Sequence, residues 1–161
     1  MRIGDHFVEM IELTNAGWAR LALGEARPEL FARHLEITLR LGNEDGVGNA
    51  LEGIAACAIV LGDLDTAGVL LGAVDTLRTR TGRFDQRTYP TSGPIVERVL
   101  ASKGAAEFEA GRARGRAMSR RAALRFAHGY ARAVAAPVAA GAGARADAPA
   151  TSAPGHPLSH G

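Results

Sequence analysis

Seven arginines, Arg112, Arg114, Arg116, Arg120, Arg121, Arg125 and Arg132, fall within 21 residues that contain no aspartate or glutamate. A row of guanidiniums with no acid among them can hold phosphates or the carboxylates of an acidic partner. Arg121 and Arg125 are one helical turn apart and Arg132 lies two turns further on, so the three share one helix face. Arg112 and Arg116 pair in the same way on a shorter helix before it. These five form the candidate basic surface. Phe126 and Tyr130 read as core, so the polar face has no aromatic on which a base could stack. Any nucleic-acid contact is therefore expected to be weak, electrostatic and steeply salt-dependent. The plainer reading is a solvated helical face. Arginine outnumbers lysine 18 to 1 along the whole chain, a bias that points to genomic base composition.

Other reactive side chains are not arranged for chemistry. The histidines are His6, His34, His128, His156 and His160, and no two stand at the spacing of a zinc-binding helix. Ser92, Ser102 and Ser119 lack the flanking glycines of a nucleophile elbow. Glu44-Asp45 and Asp63-Asp65 lie at helix starts, where capping accounts for them. No GxxxxGK[ST] phosphate loop occurs. Cys57 is the only cysteine, which excludes an intrachain disulfide and any cysteine-cluster metal site. Its place in an apolar helix reads as a small buried hydrophobe. No catalytic residue, cofactor or metal is expected, and the sequence does not specify an enzyme.

The elements that position these residues are helical. Residues 51–77 hold two apolar-striped segments around Gly62-Asp63. Leu51, Ile54, Ala55, Ala58 and Leu61 recur at helical spacing in the first, and Ala67, Leu70, Leu71, Val74 and Leu77 in the second. Gly62 can take the left-handed conformation that ends a helix, and Asp63 can cap the next. Small residues at 55, 58 and 67 let the two backbones approach. The stretch resembles a tetratricopeptide (TPR) repeat. Leu51 stands at the large position, Ile54-Ala55 at the Leu-Gly pair, Ala58 at the aromatic, Ala67 at the Ala and Leu71 at the Phe. Thr79 replaces the terminal Pro.

Taken in order, residues 5–23 predict a first helix with Phe7, Met10, Ile11, Trp18 and Leu21 mostly on one face. Trp18 reads as a core anchor, with ligand stacking as the alternative. Pro28 opens a second helix that runs to about Leu41 and stops at Gly42-Asn43. Gly24 precedes Gly62 by 38 residues, and both follow a leucine, an imperfect internal repeat of a helical hairpin. The segment RFDQRTYPTSGP has no periodicity, and Phe84 and Tyr89 are candidates to fold back on the hairpin. A fifth helix starts near Pro94 and ends at Lys103-Gly104. A sixth holds Phe108, and Ser119 caps a seventh.

Composition sets the remaining bounds. The 161 residues suffice for one domain with a core, which at 5% aromatics must be built from Leu, Ala, Val and Ile. Residues 1–109 carry 11 basic and 16 acidic side chains, a net −5, and residues 110–161 carry 8 and 1, a net +7. No signal peptide is visible, and no apolar stretch approaches the roughly 18 residues a membrane span needs. A cytoplasmic protein with no membrane partner is the expectation. Of the last 25 residues, 16 are Ala, Gly or Pro. Such a segment buries too little apolar surface to offset its ordering entropy. Residues 1–136 therefore read as the helical domain and 137–161 as a disordered Ala/Gly/Pro-rich tail.

From Gly42 to about Ala127 the chain also resembles the C-terminal helical region of actinobacterial LuxR-type and signal-transduction ATPase regulators. GNALEGIAACAIVLGD, AGVLLGAVDTLRTRTG and KGAAEFEAGRARGRAMSRRAALRFA carry the likeness. Gly104, Phe108, Gly115-Arg116-Ala117 and Ser119 match its closing block in order. The chain departs from the family at Arg120 and Arg121, where acidic residues are usual. The resemblance implies a TPR scaffold that relays or receives a signal, detached from its ATPase and helix-turn-helix modules. The expectation is an all-α fold, a TPR-like α-solenoid end. Its function would be a non-catalytic protein-interaction or sensor module in transcriptional or signalling regulation. The alternatives are electrostatic nucleic-acid binding through the arginine-rich helices and a remnant of a larger regulator.

Overall fold

The computed structural model describes residues 3–81 and 92–136, and these form seven helices and no strand. The order is α1 (Ile3–Ala22), α2 (Pro28–Leu41), α3 (Glu44–Val60), α4 (Leu64–Thr81), α5 (Ser92–Leu100), α6 (Ala105–Ala117) and α7 (Arg120–Ala135). None of them is long and apolar enough to cross a membrane. The segment between α4 and α5, with Phe84 and Tyr89, and the tail at 137–161 lie outside the described residues.

The turns between the first four helices share one mechanism. Gly24, Gly42 and Gly62 have φ of 78°, 65° and 81°, a region that costs a glycine little. At the last of these, the Gly62 N–H donates to the Ile59 carbonyl at 3.0 Å and the Asp63 N–H to the Ala58 carbonyl at 2.9 Å. That paired closure satisfies the final carbonyls of α3. The Asp63 carboxylate then accepts from the Thr66 N–H at 3.0 Å and so caps α4. Asn43 caps α3 and Ser119 caps α7 in the same manner.

α3 and α4 form the centre. Residues 46–58 and 66–74 are buried without interruption, so both helices are covered on every side rather than along one stripe. Leu51, Ile54, Ala55, Ala58 and Ala67 are wholly buried, and Leu71 nearly so. Leu61 departs from the expected stripe. It is the C-cap of α3 and is 51% exposed, because the chain turns away there. α1 and α2 cover one side. The Phe31 ring of α2 fills the space above Gly17 of α1 and Gly53 of α3, where a Cβ would collide with it. Trp18 meets that ring edge-on, with centroids 5.4 Å apart.

α6 covers the other side of α4, and this is the most extensive helix pair in the fold. Gly68 and Gly72 of α4 face Gly111 and Gly115 of α6. A Cβ at Gly68 would run into the Phe108 carbonyl, and one at Gly72 into that of Arg112. Reciprocally, a Cβ at Gly111 would run into the Asp65 carbonyl, and one at Gly115 into that of Val69. The matching residue numbers rise together, so α4 and α6 run parallel, backbone against backbone. Thr76 fastens the pair by donating to the Arg116 carbonyl at 3.1 Å. α7 then returns across α2, α3 and α4, with Ala123, Ala127 and Ala131 buried beneath it. Tyr130 comes close enough to the α3–α4 turn that burial, aided by the Asp63 carboxylate, raises its pKa to about 12.

α1 differs from its sequence expectation. Met10 and Leu21 are buried, but Phe7 and Ile11 are 51% and 43% exposed. Among the described residues α2 is the one helix that packs extensively against α1, so part of its apolar stripe is left uncovered by them.

Candidate interaction surfaces

The arginines of the C-terminal helices divide into two sets. In the first set every guanidinium meets an acid on a neighbouring helix. Arg112 binds Asp75 with both prongs, at 2.8 and 3.2 Å, and Arg116 reaches the same carboxylate at 3.0 Å. The Asp75 hydrogen bond holds the Arg112 guanidinium above its usual pKa. Arg114 pairs with Asp65, and Arg120 grips Glu44 at 2.7 and 3.2 Å. Arg112 and Arg116 therefore leave the basic surface predicted for them. Their common face is turned toward α4, and counting acids only within their own stretch missed Asp75. They act instead as ties between α4 and α6.

The second set is Arg121, Arg125 and Arg132. No described carboxylate pairs with any of them. With His128 they stand at positions i, i+4, i+7 and i+11 of α7, one continuous row about 16 Å long. Gly129 stands beside the row and lines an open concavity of about 620 Å³, walled by Arg121, Arg125, His128 and Arg132 with Leu124 at its apolar side. Phe126 and Tyr130 are packed toward the core, so beside the His128 imidazole the row presents guanidiniums and no other ring.

A second concavity, of about 710 Å³, lies between the C-terminal half of α1, the end of α3, the start of α4 and α5. Trp18, Leu21, Ile59, Leu64 and Ile95 give it apolar walls. Trp18 is half-buried: one edge is held by Phe31, and the indole also forms part of this wall. Trp18 stands out in the sequence as the single tryptophan, but its neighbours in this wall come from four separate helices and share no local pattern.

Three buried polar groups were also missed. Glu52 of α3 is 1% exposed and forms an ion pair with Arg78 of α4. Burial lowers the pKa of Arg78. His34 of α2 is 1% exposed, and burial lowers its pKa to about 4. The Thr14 hydroxyl donates to the Met10 carbonyl at 3.0 Å, so at 2.5 Å from His34 Nδ1 it accepts. A ring proton on Nδ1 matches that acceptor, and the buried Nε2 has no hydrogen-bond partner among the described residues. Asn49 Oδ1 is likewise buried and unpaired. A spacing argument on apolar residues passes over single polar positions of this kind.

Cys57 is buried, and burial pushes its thiol up to about 12, far from a reactive thiolate. Among the described residues no group of three or more His, Cys, Asp or Glu is placed to hold a metal ion. No family model, no curated protein and no solved structure matches this chain.

Proposed function

We propose that this chain is a non-catalytic interaction module in transcriptional or signalling regulation, a TPR-like helical array that docks an acidic segment of a protein partner on α7. One observation carries the reading: Arg121, Arg125 and Arg132 have no described carboxylate partner, while their neighbours Arg112, Arg114, Arg116 and Arg120 all do. A protein whose acids neutralise four arginines of one stretch and leave three in a single row has a cationic surface available for a partner. The row rises at the pitch of a helix, so carboxylates at i, i+4, i+7 and i+11 of an acidic helix would match it. Leu124 and the gap at Gly129 give such a helix an apolar contact and a close approach.

Electrostatic nucleic-acid binding is the second reading, favoured by the same row. The lack of an exposed aromatic limits it to phosphate contacts, with a salt slope no steeper than about −3 for three arginines. The test titrates a glutamate-rich helical peptide and a DNA duplex into the native chain and into Arg121→Glu/Arg125→Glu at low salt. Peptide binding that the double variant loses is the expected result. Tighter binding of the duplex than of the peptide would favour the second reading, and binding of neither would remove both.

A further inference from the structure

The groove beside Trp18 has the make-up of a small-ligand site. Its volume of about 710 Å³ falls within the usual range for pockets that enclose small molecules. Its walls are aliphatic and aromatic, and Arg98 is the one charged side chain among the lining residues described. No described carboxylate pairs with Arg98. Ser102, the one hydroxyl in the lining, is already satisfied: it donates to the Val99 carbonyl at 2.6 Å and accepts from the Gly104 N–H at 3.1 Å. The groove therefore offers an incoming molecule a long apolar contact and, at its solvent-exposed rim, one guanidinium with no described carboxylate partner.

We propose that this groove binds an amphipathic carboxylate. The apolar chain lies along Leu21, Ile59 and Leu64 against the Trp18 indole, and the carboxylate sits on Arg98. Charge complementarity selects the ligand class. A carboxylate meets guanidinium through two parallel hydrogen bonds between opposite charges, an alcohol oxygen accepts from it without bringing a compensating charge, and a cation is repelled. The apolar walls exclude a ligand that is charged along its length, since its other charges would be desolvated without partners. The proposal is independent of the α7 row, which lies on a different surface and takes a different class of partner. Because the groove lies between α1 and α5 as well as against α3 and α4, an occupant would couple α1 to α5, two helices that otherwise touch little.

Trp18 is the only tryptophan, so its emission reads the groove directly. The native chain is titrated with decanoate, decanol and decyltrimethylammonium, each below the concentration at which it aggregates. A saturable blue shift with decanoate is expected, at roughly tenfold higher affinity than decanol, with no response to the cation. Arg98→Gln replaces an exposed side chain and leaves the helices intact by circular dichroism. It should bring decanoate down to the affinity of decanol while leaving decanol unchanged. Equal affinity of the native chain for decanoate and decanol would overturn the proposal, as would a decanoate response that Arg98→Gln leaves intact. An emission that shifts with protein concentration alone would assign the groove to a second copy of the chain and overturn it equally.

Discussion

A histidine held neutral in a protein core makes stability depend on pH, and His34 is such a residue. Its folded pKa is about 4, below the ordinary value of 6.5. As pH falls, the unfolded chain therefore takes up the proton first. Stability is complete above pH 6.5 and is lost progressively down to about 4, a total of about 3 kcal/mol. His34→Asn keeps a donor for Thr14 and does not titrate in this range. Urea midpoints at pH 7.5 and pH 4.5 should converge in that variant and diverge in the native chain. Glu52 and Arg78 raise a different question at the same scale, because each is the other's compensation in the core. Arg78→Met leaves a carboxylate buried without its ion-pair partner and should cost about 3–5 kcal/mol. Glu52→Met/Arg78→Met should cost much less than the two single changes added together. Additive losses in chemical denaturation would show that the two charges do not interact.

At the scale of helices, the α4–α6 contact rests on the absence of side chains. Alanine favours a helix over glycine by about 0.5–1 kcal/mol, and Gly129→Ala should gain that amount because nothing lies within 4 Å of a Cβ there. Gly115→Ala should instead lose about 1–3 kcal/mol, because its Cβ meets the backbone of α4 and the helices must part. Opposite signs for the two substitutions in thermal denaturation are the expected result, and matching signs would mean α6 does not pack as described. Much of the helical order was legible in the sequence, because each stop has a local cause. Gly24, Gly42 and Gly62 end helices, and Asp63 and Ser119 start them; Asn43, read as part of a stop, also caps α3. The α4–α6 pair was also written there, as two Gly-xxx-Gly spacings, at 68 and 72 and at 111 and 115. It went unread because apolar periodicity assigns no weight to glycine. The fate of Arg112 and Arg116 could not be read at all. Their partner Asp75 lies 37 and 41 residues away, and only the parallel docking of α6 brings it near.

For the molecule as a whole, covering α3 and α4 on all sides makes them its most protected part. Their amides should exchange with solvent only through global unfolding, while α5, a short helix with few neighbours, should exchange through local opening. Hydrogen exchange resolved by helix checks this, and α3 exchanging as fast as α5 would contradict the core as described. The exposed Phe7 and Ile11 show where periodicity stops being informative: it gives the apolar face of α1 but not whether a neighbour covers it. The parallel alignment of α4 and α6 also has a kinetic consequence. Thr76 and the Arg116 carbonyl are 40 residues apart, so the chain must close a long loop before any contact of this pair forms. α6 carries two glycines in its interior and gains little from local helix formation before it docks. The pair should therefore assemble after the rate-limiting barrier, once α2, α3 and α4 have come together. In a stopped-flow chevron, Gly115→Ala should raise the unfolding rate and leave the folding rate unchanged, which would make α6 the first helix to leave when the protein opens.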